Sequence, residues 1–416
     1  MIKEDILSQS YTLPNGTVLK NRIFKSAMSE ALADKNGAPR PALNTLYKTW
    51  ADGGVGLCVT GNVMVDSRAL GEFNNVVIEN ENGLPQLKEW AKAATYNNTQ
   101  CWVQLNHPGK QAPKGLNAET VSPSAIPFND SMKSFFTVPR ELTEAEIFDL
   151  IRRFAFAAGV VKKAGFSGVQ IHAAHGYLVS QFLSPHHNQR ADQWGGSAEN
   201  RRRFLVEIFK AMRAEVGPDF PIGIKLNSAD FQKGGFTDEE SLETIKVLES
   251  LGIDLIEISG GTYEAPAMTG AMAQQKESTK KREAYFMDFA IKARRAVKTP
   301  LVLTGGFRTY EGMKQAIESG DVDFVGLGRL LAIEPDAPNR LVKGESPLQE
   351  IKAVTTGIKA IDDMGMMETI MYREQMNRMG KGLQPKLNAS PLLVLLKMGL
   401  GMLFAKKNVR KERASK

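Results

Sequence analysis

Eight short apolar runs, each followed by a helical pattern, constrain this chain more than any other feature of it. The runs are Ile23–Met28, Leu57–Val63, Cys101–Leu105, Gly168–His172, Ile222–Leu226, Leu255–Ser259, Leu301–Thr304 and Phe324–Leu327. Nearly every position in them is apolar, as expected of parallel strands covered on both faces. Helices are predicted near 42–52, 84–97, 143–164, 197–215, 237–251, 284–297, 309–319 and 331–342. Thr143 with Glu146 forms a capping box, and Ser197 and Thr237 precede helical runs. Gly217-Pro218, Gly252 and Gly320 supply stops. Strict alternation of eight units predicts an α/β fold, a (β/α)8 TIM barrel over residues 1–345. An open doubly wound sheet is the alternative, but Ala27-Met-Ser-Glu-Ala31 stands where its glycine-rich phosphate loop belongs.

Outside the repeats, Tyr11–Arg22 reads as a hairpin, with Asn15-Gly16 providing the positive φ values of a tight turn. Residues 106–142 form a long connection rich in Pro, Gly and Asn, of the kind that is either a functional lid or disordered. Residues 346–416 are expected to be a C-terminal helical extension: a helical segment over 346–380, an apolar stretch from Pro391 to Ala405, then a basic tail.

Composition excludes several function classes. Two cysteines, Cys58 and Cys101, cannot ligate an iron–sulfur cluster, which takes about four thiolates. They read as buried thiols of a cytoplasmic protein. The first residues lack the apolar core of a signal peptide. No run reaches the roughly 20 apolar residues of a membrane span. Of the net charge of +7, the stretch Lys406–Lys416 contributes +5, from six basic residues and Glu412. Bulk charge therefore does not argue for a nucleic-acid partner. The tail with its apolar approach predicts docking on the barrel or a neighbouring subunit, as a homo-oligomer would need, or weak peripheral contact with an anionic membrane.

In a barrel of this kind the chemistry lies after the strands. Four of the five histidines fall in one loop after the fourth run: His172, His175, His186 and His187, with Tyr177 among them. The third run ends near Gln104 and the fifth holds Lys225. Glycines after the seventh and eighth runs, Gly305, Gly306 and Gly328, together with Arg329, form the usual phosphate site of such barrels. A metal on His172 and His175 is disfavoured, because the first carboxylate in the loop is the distant Asp192. His186 and His187 read as structural or solvent-facing, not catalytic. Arg190, Asp192, Glu199, Arg201 and Arg203 read as a salt-bridged brace.

These pieces resemble the old yellow enzyme family, the FMN-dependent NADH:flavin oxidoreductases and ene-reductases. The resemblance rests on Leu-Pro-Asn-Gly16 with Asn-Arg22, Gln104-Leu-Asn-His-Pro-Gly-Lys110, His172-Ala-Ala-His-Gly-Tyr-Leu178, Asn188 to Arg201, Thr304-Gly-Gly306 and Gly326-Leu-Gly-Arg329. It implies FMN as cofactor, NADH or NADPH as electron donor, and an electrophilic small molecule such as an enone as substrate. By position, Gln104 and Lys225 would hold the flavin's pyrimidine edge, with Ala27, Met28 and Ser29 against the ring. Gly305, Gly306, Gly328 and Arg329 would bind the phosphate. His172 and His175 would grip the substrate oxygen, and Tyr177 would deliver a proton. Lys225 stands where many relatives carry Arg, and Ala27 where many carry Pro; lysine keeps the charge but loses the bidentate fork. Longer relatives carry an iron–sulfur segment and a second nucleotide-binding domain, which are not expected here. Two other readings remain at this stage: a dihydrouridine-synthase-like FMN enzyme acting on tRNA, and a flavin-free aldolase or lyase using Lys225 as a Schiff base.

Overall fold

The computed structural model describes residues 5–130, 132–262, 264–265, 284–351, 354–358, 362, 367–397 and 399. Eight strands build the centre: β1 (Ile23–Lys25), β2 (Leu57–Val59), β3 (Gln100–Asn106), β4 (Gly168–Ala173), β5 (Ile222–Asn227), β6 (Leu255–Ser259), β7 (Leu301–Thr304) and β8 (Phe324–Leu327). Each pairs in parallel with the next, β8 pairs with β1, and the sheet closes into a barrel. The helices are α1 (Pro41–Asp52), α2 (Leu84–Ala94), α3 (Glu144–Ala164), α4 (Leu178–Leu183), α5 (Ala198–Val216), α6 (Asp238–Ser250), α7 (Met287–Ala296), α8 (Tyr310–Glu318), α9 (Arg329–Ile333), α10 (Ala337–Leu341) and α11 (Met367–Met379). The caps fall where the sequence places them. Thr143 and Thr237 both close capping boxes, and Ser197 accepts from the Asn200 N–H. Each cap is worth about 1 kcal/mol.

The barrel is stoppered at the N-terminal ends of its strands. Leu13 and Leu19, from the hairpin of Tyr11–Thr12 and Val18–Leu19, pack on Phe24, Leu57, Val59, Trp102, Leu255, Val302 and Phe324. Trp102 fills the axis because its neighbours are glycines. A Cβ on Gly168 would stand 2.5 Å from its indole nitrogen, and one on Gly223 2.7 Å from its ring.

Several expectations are corrected. In the hairpin only Gly16 takes a positive φ (88°); Asn15 instead accepts the Thr17 N–H on its side chain. The second run breaks after Val59, and Val63–Met64 pairs beside the far end of β3. Helix α4 lies inside what reads as a loop; all six of its residues are buried, so it shows no amphipathic stripe. The helix expected over 331–342 is two short ones, because Pro335 lacks an N–H and forces Glu334 out of helical geometry.

In the extension, the described parts of 346–358 are not helical; Leu348 and Gln349 are held through their N–H groups by Glu334. The helix there is α11, which packs on α1 and α9 and adds Tyr372, Met376 and Met379 to the main core. Residues 391–397 are helical and bury Val394 against Met367, Ile370 and Met371. The remainder of the apolar stretch, apart from residue 399, and the basic tail lie outside the described residues. Among the described residues no helix is long and apolar enough to cross a membrane.

Candidate active site

Towards the C-terminal ends of the strands the barrel interior becomes polar. Gln170 on β4 lies level with Gln104 on β3, and Lys225 on β5 lies level with Glu257 on β6. All four are buried. Lys225 Nζ is 3.0 Å from Glu257 Oε1, which also accepts the Thr304 hydroxyl at 2.7 Å. Glu257 Oε2 accepts from the Gln170 amide at 2.8 Å, and the Gln170 oxygen accepts from the Gln104 amide at 2.7 Å. Because the one Thr304 hydroxyl hydrogen is spent on a carboxylate, Ser26 is the donor in its 2.8 Å contact with Thr304.

The turn after β1 is anchored from beneath. Lys25 Nζ donates to the Val59 carbonyl at 2.9 Å and sits 4.3 Å from the Trp50 ring centroid. Glu30 accepts from the Tyr47 hydroxyl and from the Gly61 N–H. Burial raises the Glu30 carboxyl above its ordinary range, against the pull of Lys25. Between these anchors Ala27, Met28 and Ser29 are half-buried, and the Ser29 hydroxyl is enclosed with no hydrogen-bond partner among the described residues.

After β4, His172, His175 and Tyr177 come together. The two imidazoles are 5.3 Å apart and edge-on, and the His172 ring is 4.7 Å from the Tyr177 ring. Burial is the main cause that pushes both histidines well below the usual pKa, helped by the neighbouring imidazole and Lys225 for His172 and by Lys225 for His175, so both are neutral at pH 7. His172 Nδ1 accepts the Ala174 N–H, which leaves Nε2 as its N–H donor. His175 is held at φ 61° by the Asn227 side chain, and its Nε2 lies 2.7 Å from the Ser259 hydroxyl. Asn62 donates to the Tyr177 oxygen at 3.3 Å.

After β7, Gly305 and Gly306 take φ values of 115° and 98°, and a Cβ on Gly305 would press on Tyr285 at 3.3 Å. Gly328 caps the start of α9. The Arg329 guanidinium forms a 2.8 Å ion pair with Glu368 of α11, a partner from the extension that sequence reading did not place here. Glu257, Gln170 and Asn62 were also missed. The signal for the first two was a single polar residue inside an otherwise apolar run.

His187 is buried beside Lys110, whose Nζ lies 3.3 Å from His187 Nδ1 and 3.3 Å from Glu264 Oε2. His186, His187 and Glu264 could converge on a metal, but the ammonium already partners two of them. Arg190 pairs with Asp192 as the brace predicts, whereas Arg201 reaches out of the cluster to Glu240. Cys58 and Cys101 are free and buried.

The residues fit an FMN. The partnerless Ser29 hydroxyl, the amide of Gln104 and the Lys225 ammonium suit a flavin's carbonyl and imide edge. The positive-φ glycines suit a phosphate. The model of the NADH:flavin oxidoreductase / NADH oxidase family matches residues 11–347. The NADH-dependent flavin oxidoreductase iccE of Talaromyces variabilis is 38% identical over 81% of this chain and 86% of its own. Among solved structures, a 2-naphthoyl-CoA reductase superposes with a TM-score of 0.75 and 29% identity; the match covers 82% of this chain and 52% of that longer one. The old yellow enzyme homologue of Zymomonas mobilis superposes with a TM-score of 0.71 and 25% identity over 83% of this chain and 94% of its own. With the barrel, its polar mouth and these likenesses in agreement, the chain belongs to the NADH:flavin oxidoreductase / NADH oxidase family of old yellow enzymes and is an oxidoreductase that uses FMN with NADH or NADPH.

Proposed function

We propose that this oxidoreductase reduces the C=C bond of an α,β-unsaturated carbonyl or a comparably activated small molecule. Bound FMN, reduced by the nicotinamide, supplies the hydride. His172 presents its Nε2–H to the activating oxygen, where negative charge develops as the alkene accepts hydride. A neutral imidazole suits this task, since it donates a hydrogen bond without taking a proton away from the reaction. His175 offers Nδ1 as a second donor when the Ser259 hydroxyl donates to its Nε2. Tyr177 protonates the α-carbon, and the Asn62 amide stabilises the phenolate left behind. Gln104 and Lys225 hold the flavin's pyrimidine edge; Gly305, Gly306, Gly328 and Arg329 hold its phosphate.

The observation that carries this reading is a chain of three rings at the open end of the barrel: the Tyr177 phenol packs on the buried His172 imidazole, which meets the half-buried His175 imidazole edge-on, both imidazoles being neutral. A lysine aldolase is disfavoured, because the Lys225 ammonium is ion-paired with Glu257 and has no lone pair for a Schiff base. The test is an absorbance experiment. Anaerobic NADH or NADPH bleaches the flavin bands and cyclohexenone restores them; bleaching that no enone reverses would overturn the alkene assignment while keeping the flavoenzyme.

A weak peripheral membrane contact is a second proposal for the extension. Leu392, Leu393 and Leu396 are 44%, 67% and 61% exposed, on the helical segment that precedes the basic tail. Co-sedimentation with phosphatidylserine vesicles, lost in high salt, is the expected result; equal pelleting without vesicles would point to self-association.

A further inference from the structure

We propose that Glu257 is a positioning residue for the flavin: through Gln170 it dictates which end of the Gln104 amide faces the cofactor, and through Lys225 it sets how strongly the barrel favours reduced flavin. The proposal rests on FMN dependence and not on the identity of the electron acceptor.

The first half follows from donor bookkeeping. A glutamine amide turned over by 180° fills the same space, so only its neighbours decide its orientation. The Glu257 carboxylate offers acceptors alone. Gln170 must therefore point its NH2 at Glu257 Oε2, 2.8 Å away, and its oxygen at Gln104. Gln104 must in turn give its NH2 to Gln170, 2.7 Å away, which leaves the Gln104 oxygen as the acceptor remaining outside the network. The pyrimidine edge of a flavin carries one N–H between two carbonyls. A Gln104 oxygen matches that N–H, whereas a reversed amide would set donor against donor. The carboxylate thus transmits its polarity across two buried amides.

The second half is electrostatic. Two-electron reduction places negative charge on the same edge of the flavin, and an uncompensated lysine beside it would favour the reduced form. Here the ammonium shares its charge with Glu257 at 3.0 Å, in a site where both side chains are buried and screening is weak. Glu257 therefore keeps the flavin's potential low and the reduced cofactor a strong hydride donor.

Two variants separate the halves. Glu257→Gln keeps the shape but loses both the charge and the one-way acceptor; Gln170→Leu cuts the relay and leaves the ion pair. Apo-protein is titrated with FMN by fluorescence quenching, and the potential of the bound flavin is measured against a reference dye. Glu257→Gln should bind oxidised FMN about tenfold more weakly and favour reduced over oxidised flavin about tenfold more, a rise of about 30 mV for a two-electron couple. Gln170→Leu should show the weaker binding with an unchanged potential, and this variant alone tests the relay if Glu257→Gln does not fold. Wild-type affinity and potential in Glu257→Gln would overturn the proposal, as would a potential that moves equally in both variants. Wild-type protein that takes up no FMN would instead remove the flavin reading beneath it.

Discussion

The two ends of the barrel interior are built from the same strands two residues apart, and they have opposite chemistry. One layer holds Phe24, Trp102, Gly168, Gly223, Leu255, Val302 and Phe324; the next along each strand holds Ser26, Gln104, Gln170, Lys225, Glu257, Thr304 and Gly326. A step of two residues is about 6.6 Å and returns the side chain to the same face. The lower layer is apolar, closed by Leu13 and Leu19, and has no titratable group. The upper layer is a connected polar network whose bonds all lead to one carboxylate. The lower end holds the barrel together and the upper end arranges polarity, so damage to each should be read by a different measurement.

The largest effect is expected at the lower end. Trp102→Ala empties the axis between two glycines that cannot refill it, and should cost about 3–5 kcal/mol of stability. Urea unfolding measures it. If the comparison holds, the flavin spectrum of the surviving folded protein is unchanged; a shifted spectrum would show that the two layers are mechanically coupled.

Mild acid should act through the histidines of the functional end. Burial lowers His107, just past β3, from 6.5 to about 4. Above pH 6.5 it is neutral in both folded and unfolded states. Below that, the unfolded chain takes a proton that the folded one refuses, so stability falls as pH falls towards 4, by roughly 3 kcal/mol from this residue alone. His172, His175 and His187 are depressed for the same first cause and add to the loss in the same direction. Unfolding midpoints that are equal at pH 7.5 and pH 5 would refute this.

Tyr177→Phe should lower turnover of an enone by about a hundredfold or more, the usual contribution of a positioned proton donor. The half-reaction with NADH should be spared, because no proton reaches carbon in it. Stopped-flow measurement of the two half-reactions separates them; equal slowing of both would place the tyrosine in cofactor binding instead.

The lower layer was the more legible of the two. Parallel strands buried on both faces appear as apolar runs, and all eight were visible, with helix caps between them. The upper layer was legible only in part. Lys225 and Gln104 could be placed because each stands at a strand end beside known motifs. Gln170 and Glu257 sit in mid-run, where nothing local says which alternate residues face the axis, and their meaning depends on cross-strand register. Helix α4 was hidden because it is buried all round. The Arg329–Glu368 pair joins residues 39 apart, from a barrel strand end and the extension, and no local pattern predicts it.

That pair offers the smallest and most specific test, because it lies where the barrel's working end meets the extension. Arg329 and Glu368 are 26% and 31% exposed, so their attraction is partly screened and worth about 0.5–1 kcal/mol. A phosphate arriving at Arg329 competes with the carboxylate for the same guanidinium. Glu368→Gln should therefore tighten FMN binding by about two- to fivefold, the factor that this energy corresponds to. Riboflavin, which has the same ring but no phosphate, should bind both proteins equally. If riboflavin gains as much as FMN, the glutamate acts on the ring site through the packing of α11. If neither gains, Arg329 belongs to the extension's docking and the phosphate is carried by the backbone of Gly305, Gly306 and Gly328.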